Sequence, residues 1–101
     1  MKLNDIGETV RIEGTSLLGY VRTNYSRLVE VFGEPTYTGD SEDKTQAEWA
    51  IEFMNEDYEL FPATIYDWKQ YELGVPTGDY DWHIGGLSTD VIDEITKLVN
   101  A

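Results

Sequence analysis

ATIYDWK (63–69), QYELGVPTGD (70–79) and YDWHIGG (80–86) form the stretch whose reading decides the fold. In its first run Ala63, Ile65 and Asp67 fall on one side, and Thr64, Tyr66 and Trp68 on the other. In its last run Tyr80, Trp82 and Ile84 alternate with Asp81 and His83, and Gly85-Gly86 closes it. Alternation with period two is the mark of a strand, and the Gly and Pro between the runs are loop chemistry. The stretch therefore predicts strands over 62–69 and 80–85, joined by a loop from about Gln70 to Asp79. It also holds the only His, two of the three Trp and Lys69.

Working upstream, TQAEWAIEFM (45–54) alternates Ala47, Trp49, Ile51 and Phe53 with Glu48, Ala50 and Glu52. That pattern predicts a strand over 46–54 with one buried and one wet face. NEDYE (55–59) turns the chain, so 46–69 reads as an antiparallel hairpin. Before it lies GEPTYTGDSEDK (33–44), a loop with an acidic knot around Ser41. TSLLGYVRT (15–23) predicts a strand over 16–22, in which Gly19 marks a bulge or a close backbone approach. Residues 1–14, with a short apolar alternation at Val10 and Ile12, form an extended lead-in suited to an edge strand.

Two helices complete the pattern. Asn24 is a good N-cap for YSRLVEVF, because its side-chain oxygen can accept from an early orphan amide. Tyr25, Leu28, Val29 and Phe32 share a face, and Gly33 with Pro35 stops the helix, giving 25–32. Ser88 or Thr89 caps a last helix over 89–99, with Val91, Ile92, Ile95, Leu98 and Val99 opposite Asp93, Glu94 and Lys97. The order β-α-β-β-β-α predicts one α+β domain over 1–101, an antiparallel sheet of about four strands with both helices on one face.

A chain of 101 residues is one domain, and 41% hydrophobic residues argue against disorder despite the charge. There is no Cys, which removes disulfides, thiolate zinc sites and thiol nucleophiles together. No basic-then-apolar leader and no membrane-spanning apolar run is seen, so a cytosolic, membrane-free life is expected. The formal charge is -13. Up to Gly33, Lys2, Arg11, Arg22 and Arg27 balance Asp5, Glu8, Glu13 and Glu30, so the excess lies entirely beyond that point. Such a field repels nucleic acid and anionic membrane and attracts basic surfaces. It also serves simply as a solvated, solubilising surface.

No catalytic signature emerges. His83 is a general acid or base in principle but stands alone, and with Asp79 and Asp81 nearby it still falls short of a specific zinc set. GDSEDK lacks the ligand spacing of a calcium loop, and there is no nucleophile elbow, phosphate loop or dinucleotide fingerprint. The expectation is no enzyme, no metal and no cofactor. The aromatic residues say more: Trp49 belongs to the core with Ile51 and Phe53, while Tyr66, Trp68, Tyr80 and Trp82 share a face of neighbouring strands. That face is core, oligomer interface or pocket, and a homodimer is expected because two short helices cannot cover both sides of such a sheet.

GTSLLGY, LVEVFGEPTYTGD, KTQAEW, ATIYDWK and DWHIGG together resemble a group of small tailed-bacteriophage proteins with no assigned activity, over about residues 14–99. The resemblance implies a life in the infected host cytoplasm and an accessory role against host defence. Two mechanisms fit the residues. An acidic surface of Glu34, Asp40, Glu42, Asp43, Glu48, Glu52, Glu56, Asp57 and Glu59, facing only Lys44, blocks a basic, nucleic-acid-binding defence protein. Alternatively Tyr66, Trp68, Lys69, Trp82 and His83 form a pocket that sequesters a nucleotide immune signal. A structural or interaction role is the plain alternative to both.

Overall fold

The period-two runs fold back on one another as read, but they lie inside a larger sheet. The computed structural model describes residues 1–40, 42–70 and 73–101. Its order is β1 (Lys2–Ile6), β2 (Ser16–Thr23), α1 (Tyr25–Phe32), β3 (Tyr37–Thr38), β4 (Ala47–Met54), β5 (Leu60–Tyr66), β6 (Tyr80–Gly86) and α2 (Asp90–Val99). The expected four strands are thus corrected to six among the described residues, and the order to β-β-α-β-β-β-β-α. The part of the 70–79 loop at 71–72, and Ser41 of the acidic knot, lie outside the described residues.

All pairings are antiparallel, with β4, β5 and β6 as a central meander in the order β1-β4-β5-β6-β2. β1 and β3 lie end to end along the outer edge of β4: Lys2 pairs with Met54, and Tyr37 pairs with Glu48. The extra strands escaped the sequence pattern for separate reasons. β1 is LNDI-like and polar because it is an edge with a bulge between Leu3 and Asp5, and β3 is only two residues long. The apolar alternation of Val10 and Ile12 belongs to the turn-rich connection after β1 instead.

Both helices cover one face. Asn24 caps α1 as expected, its Oδ1 accepting from the Arg27 N–H at 2.8 Å. Gly33 follows with φ 85, a left-handed conformation that glycine takes without strain. In α2 the Ser88 hydroxyl accepts from the Asp90 N–H at 3.3 Å, while Thr89 makes no side-chain cap. Arg27 reaches from α1 to the end of α2, its guanidinium donating to the Val99 and Ala101 carbonyls at 2.7 and 2.8 Å. It thereby satisfies orphan acceptors where the helix dipole is negative.

Under the helices lies one cluster: Leu28, Phe32, Val91, Ile95 and Val99 above Trp49, Ile51, Phe53, Ala63, Ile65, Trp82 and Ile84. Trp49 is fully buried, its ring packing edge-on to Trp82 at 5.5 Å, and its indole N–H donates to the Gly33 carbonyl at 2.8 Å. Among the described residues no helix is long and apolar enough to cross a membrane.

Residues 7–15 must travel from one edge of the sheet to the other, because β1 ends beside Ile51 and β2 begins beside Gly86. Ile51 and Gly86 both pair with Ala63, so the two ends stand on one row in mid-sheet. The helices occupy one face, so the segment passes over the other. There the small residues Ala50, Thr64 and Gly85 form a transverse row, and they are buried although they face away from the helices. Val10, buried outside the helix-side cluster, lies on the crossing segment, which turns at Gly7–Val10 and Ile12–Thr15.

Candidate functional site

The strand register decides which aromatic residues meet. Tyr37 pairs with Glu48, Glu48 with Tyr66, Tyr66 with His83, and His83 with Tyr20. Five strands thus contribute one residue each to a single row across the helix-free face. Tyr20 packs edge-on to His83 at 4.9 Å, Tyr66 lies 5.2 Å from the same ring, and Trp68, just beyond β5, lies 6.1 Å from Tyr66 and 6.3 Å from His83.

Of the five residues expected to form a pocket, Tyr66, Trp68, Lys69 and His83 share this region, and Trp82 does not. Trp82 is fully buried on the helix side, between Trp49 and Tyr80. Tyr80 points the same way as Trp82, so the expected common face of Tyr66, Trp68, Tyr80 and Trp82 divides in two. Each strand's alternation was legible. What joins one strand's alternation to the next is the pairing of Tyr66 with His83, which depends on the length and path of the intervening loop.

The expected strand also runs short. β5 ends at Tyr66, and Asp67, Trp68 and Lys69 leave the ladder in a defined way. Asp67 turns inward, fully buried, and its Oδ1 accepts from the Gln46 and Ala47 N–H groups at 2.7 and 3.1 Å. A carboxylate replaces a strand partner at the start of β4. Trp68 N–H donates to the Tyr80 hydroxyl at 3.1 Å, and Lys69 N–H donates to the Lys44 carbonyl at 2.6 Å. Lys69 has φ 56, left-handed for a residue with a Cβ. These bonds set the Lys44 and Lys69 ammonium groups 5.7 and 5.9 Å from the centre of the Trp68 ring.

Burial tunes the titratable members of the row. It pushes the Glu48 carboxyl above its ordinary range, with the Asp67 charge adding to the rise. It lowers the His83 imidazole, against the opposing pull of the Asp67 charge. Tyr66 is raised by burial first and by Glu48 and Tyr20 after that. The His83 Nδ1 atom is buried and has no hydrogen-bond partner among the described residues. Arg22 and Asp81, on the next row, pair at 3.2 Å.

Eight of the nine acids sort by position along one hairpin. Asp40, Glu42 and Asp43 lie in the loop before β4, where the Asp43 carboxylate accepts from Asp40 N–H at 2.9 Å and Gln46 Nε2 donates to the Asp40 and Asp43 carbonyls. Glu56, Asp57 and Glu59 lie in the β4–β5 turn, held by Asn55, whose Oδ1 accepts from Asp57 and Glu59 N–H, each at 2.9 Å. Glu48 and Glu52 stand between on the helix-free face, with Glu52 accepting from Asn4 at 2.7 Å. Eight residues of strand separate the two loops, about 25 Å. Glu34 is exposed just after α1.

Sequence reasoning missed Tyr20, Lys44 and Asp67. Tyr20 could have been found from its alternation with the buried Val21, whereas Lys44 and Asp67 carry no pattern. Among the described residues no three His, Asp or Glu converge as a metal site. Surface clefts beside Met1 and Tyr58 and beside α2 lie away from the aromatic row, and another, walled by the crossing segment, reaches the row at its Tyr37 end. Compared with known proteins, the chain matches no family model, no curated protein and no solved structure.

Proposed function

We propose that the protein is a non-catalytic blocking protein, a phage accessory factor that occupies the basic cleft of a host nucleic-acid-binding defence protein with the acidic edge of its β4–β5 hairpin. The observation that carries this reading is the placement of the acids. Two acidic loops about 25 Å apart stand at the two ends of β4, with Glu48 and Glu52 between them on the helix-free face, one on either side of the buried Ala50, a run of negative charge along one strand rather than a scatter. Internal hydrogen bonds hold both loops, so little ordering entropy is lost when a rigid basic groove docks. The phage context rests on the resemblance described above.

The protein also pairs with a second copy in this reading. The outer edge of β2 has no strand neighbour among the described residues and exposes Leu17 and Tyr20.

The test is capture from phage-infected host cells with the purified protein as bait. A basic host protein should bind at low salt and elute as ionic strength rises toward about 0.5 M, because exposed charge pairs are screened within a few ångströms there. Glu42→Lys with Asp43→Lys, and separately Glu56→Lys with Asp57→Lys, should each weaken capture. A partner that is indifferent to both salt and these reversals sinks the proposal. Sedimentation showing a single chain at high concentration sinks the dimer.

A further inference from the structure

Acids outnumber bases twenty to seven in this chain; among the described residues Lys2, Arg11, Lys44 and Lys69 join no ion pair, and of these Lys44 and Lys69 meet at one ring. Both hold their ammonium groups within 6 Å of the same indole ring. That ring is also singular. Trp49 and Trp82 are wholly buried, whereas Trp68 keeps 38% of its surface exposed.

The backbone fixes the juxtaposition from two sides, through the Lys69 N–H to the Lys44 carbonyl and the Trp68 N–H to the Tyr80 hydroxyl. Lys69 is held in a left-handed conformation, a strain that persists only where surroundings over-determine it. Beside the indole stand Tyr66 and His83, the latter with an unpartnered, buried Nδ1.

We propose that this plate binds a small planar anion of the nucleoside-phosphate class. The base stacks on Trp68 near Tyr66 and His83, and the phosphate takes the two ammonium groups, which swing to it on flexible stems. Three features select this occupant. An exposed indole offers a π-face on which one base can stack. Two lysines that pair with no carboxylate among the described residues supply the charge complement of one phosphate group. A longer polyanion is rejected, because any strand leaving the plate along the sheet meets Glu48 or Asp81 and the overall charge of -13. The site adjoins the acidic hairpin, sharing the loop before β4 and the neighbourhood of Glu48, but it uses the lysines and rings there rather than the carboxylates.

Trp68 is its own reporter, since the other two indoles are shielded. Adenosine monophosphate should quench the emission saturably, with adenosine and inorganic phosphate each binding at least about tenfold more weakly. Lys44→Ala with Lys69→Ala should weaken the nucleotide by about tenfold or more while leaving the circular dichroism unchanged. Trp68→Phe should abolish the optical signal and weaken binding measured by calorimetry. The proposal is overturned if adenosine, guanosine, cytidine and uridine monophosphates all fail to quench while acrylamide still does. It is equally overturned if inorganic phosphate alone binds as tightly as the nucleotide, or if a ten-residue oligothymidylate binds more tightly than thymidine monophosphate.

Discussion

Trp82 and His83 are neighbours in β6, yet the indole is wholly buried between Trp49 and Tyr80 while the imidazole sits on the opposite face between Tyr20 and Tyr66. On the helix side the rings pack among aliphatic side chains, and their polar atoms are satisfied locally or left without a partner. On the other side the rings stand in line with Glu48, Lys44, Lys69 and the Arg22–Asp81 pair, and several keep contact with solvent. Similar residue types therefore do different work on the two faces. The buried set fixes the fold, and the exposed set is free to meet something else.

The widest gap between the faces should appear on truncation. Trp49→Ala removes a fully buried ring and its bond to Gly33, an expected loss of about 3–5 kcal/mol in urea unfolding. Tyr20→Ala on the other face should change stability by less than about 1 kcal/mol. A loss at Tyr20 as large as at Trp49 would mean that both faces are core.

Next comes Asp67, where the two regions touch. Asp67→Ala leaves two buried amides without an acceptor and should cost about 2–4 kcal/mol. Asp67→Asn, which keeps a carbonyl oxygen there, should cost less than half of that. Equal losses would show that charge, not the hydrogen bonds to β4, is what matters.

The buried centre of the helix-free face gives a third, smaller effect. A Cβ at Gly85 would stand 2.6 Å from Thr64 Oγ1, so Gly85→Ala should cost about 1–3 kcal/mol through overpacking. Adding Thr64→Ala should recover part of it, a coupling readable in a double-mutant cycle.

The smallest effects are those of pH. Because burial lowers His83, the unfolded chain takes up that proton first, and stability falls as pH drops below about 6.5. Glu48 has the opposite sign. Its carboxyl is raised, so the folded chain takes up the proton first and gains stability as pH falls through that raised range. His83→Gln should flatten the loss below about pH 6.5, and Glu48→Gln should raise stability at pH 7 and erase the acid-side gain. If the difference curves of the two variants slope the same way, the assignment of the row is wrong.

Elements with strong periodicity were legible. Helix 25–32 matches α1 to the residue, Asn24 caps it, and β2, β4, β5 and β6 sit within three residues of the expected 16–22, 46–54, 62–69 and 80–85. The β1 strand was hidden because an edge strand needs no apolar face, and β3 because two residues make no pattern. At the candidate site, Tyr66, Trp68, Lys69 and His83 were found from residue type and alternation. Trp82 was misplaced because alternation fixes faces within a strand and not between strands. Lys44 reaches Trp68 only through a loop-to-loop hydrogen bond, which nothing in local sequence encodes.

The passage of residues 7–15 over the sheet has a consequence for how the chain assembles. β1 and β2 are consecutive in sequence but lie at opposite edges, and their partners come late: Lys2 waits for Met54, and Tyr20 for His83. Neither edge strand has a template until the β4–β5–β6 meander exists, and closing such long loops is the slow part of folding a topology of this kind. The meander is therefore expected to form first and the crossing segment to be laid down last, an order that folding kinetics of variants in β5 and in residues 7–15 would check. In the native protein the same order runs backward. The amides of β1 and of residues 7–15 should exchange with solvent through a partial opening, while those of β5, flanked on both sides, should wait for the whole sheet to come apart, as native-state hydrogen exchange would read.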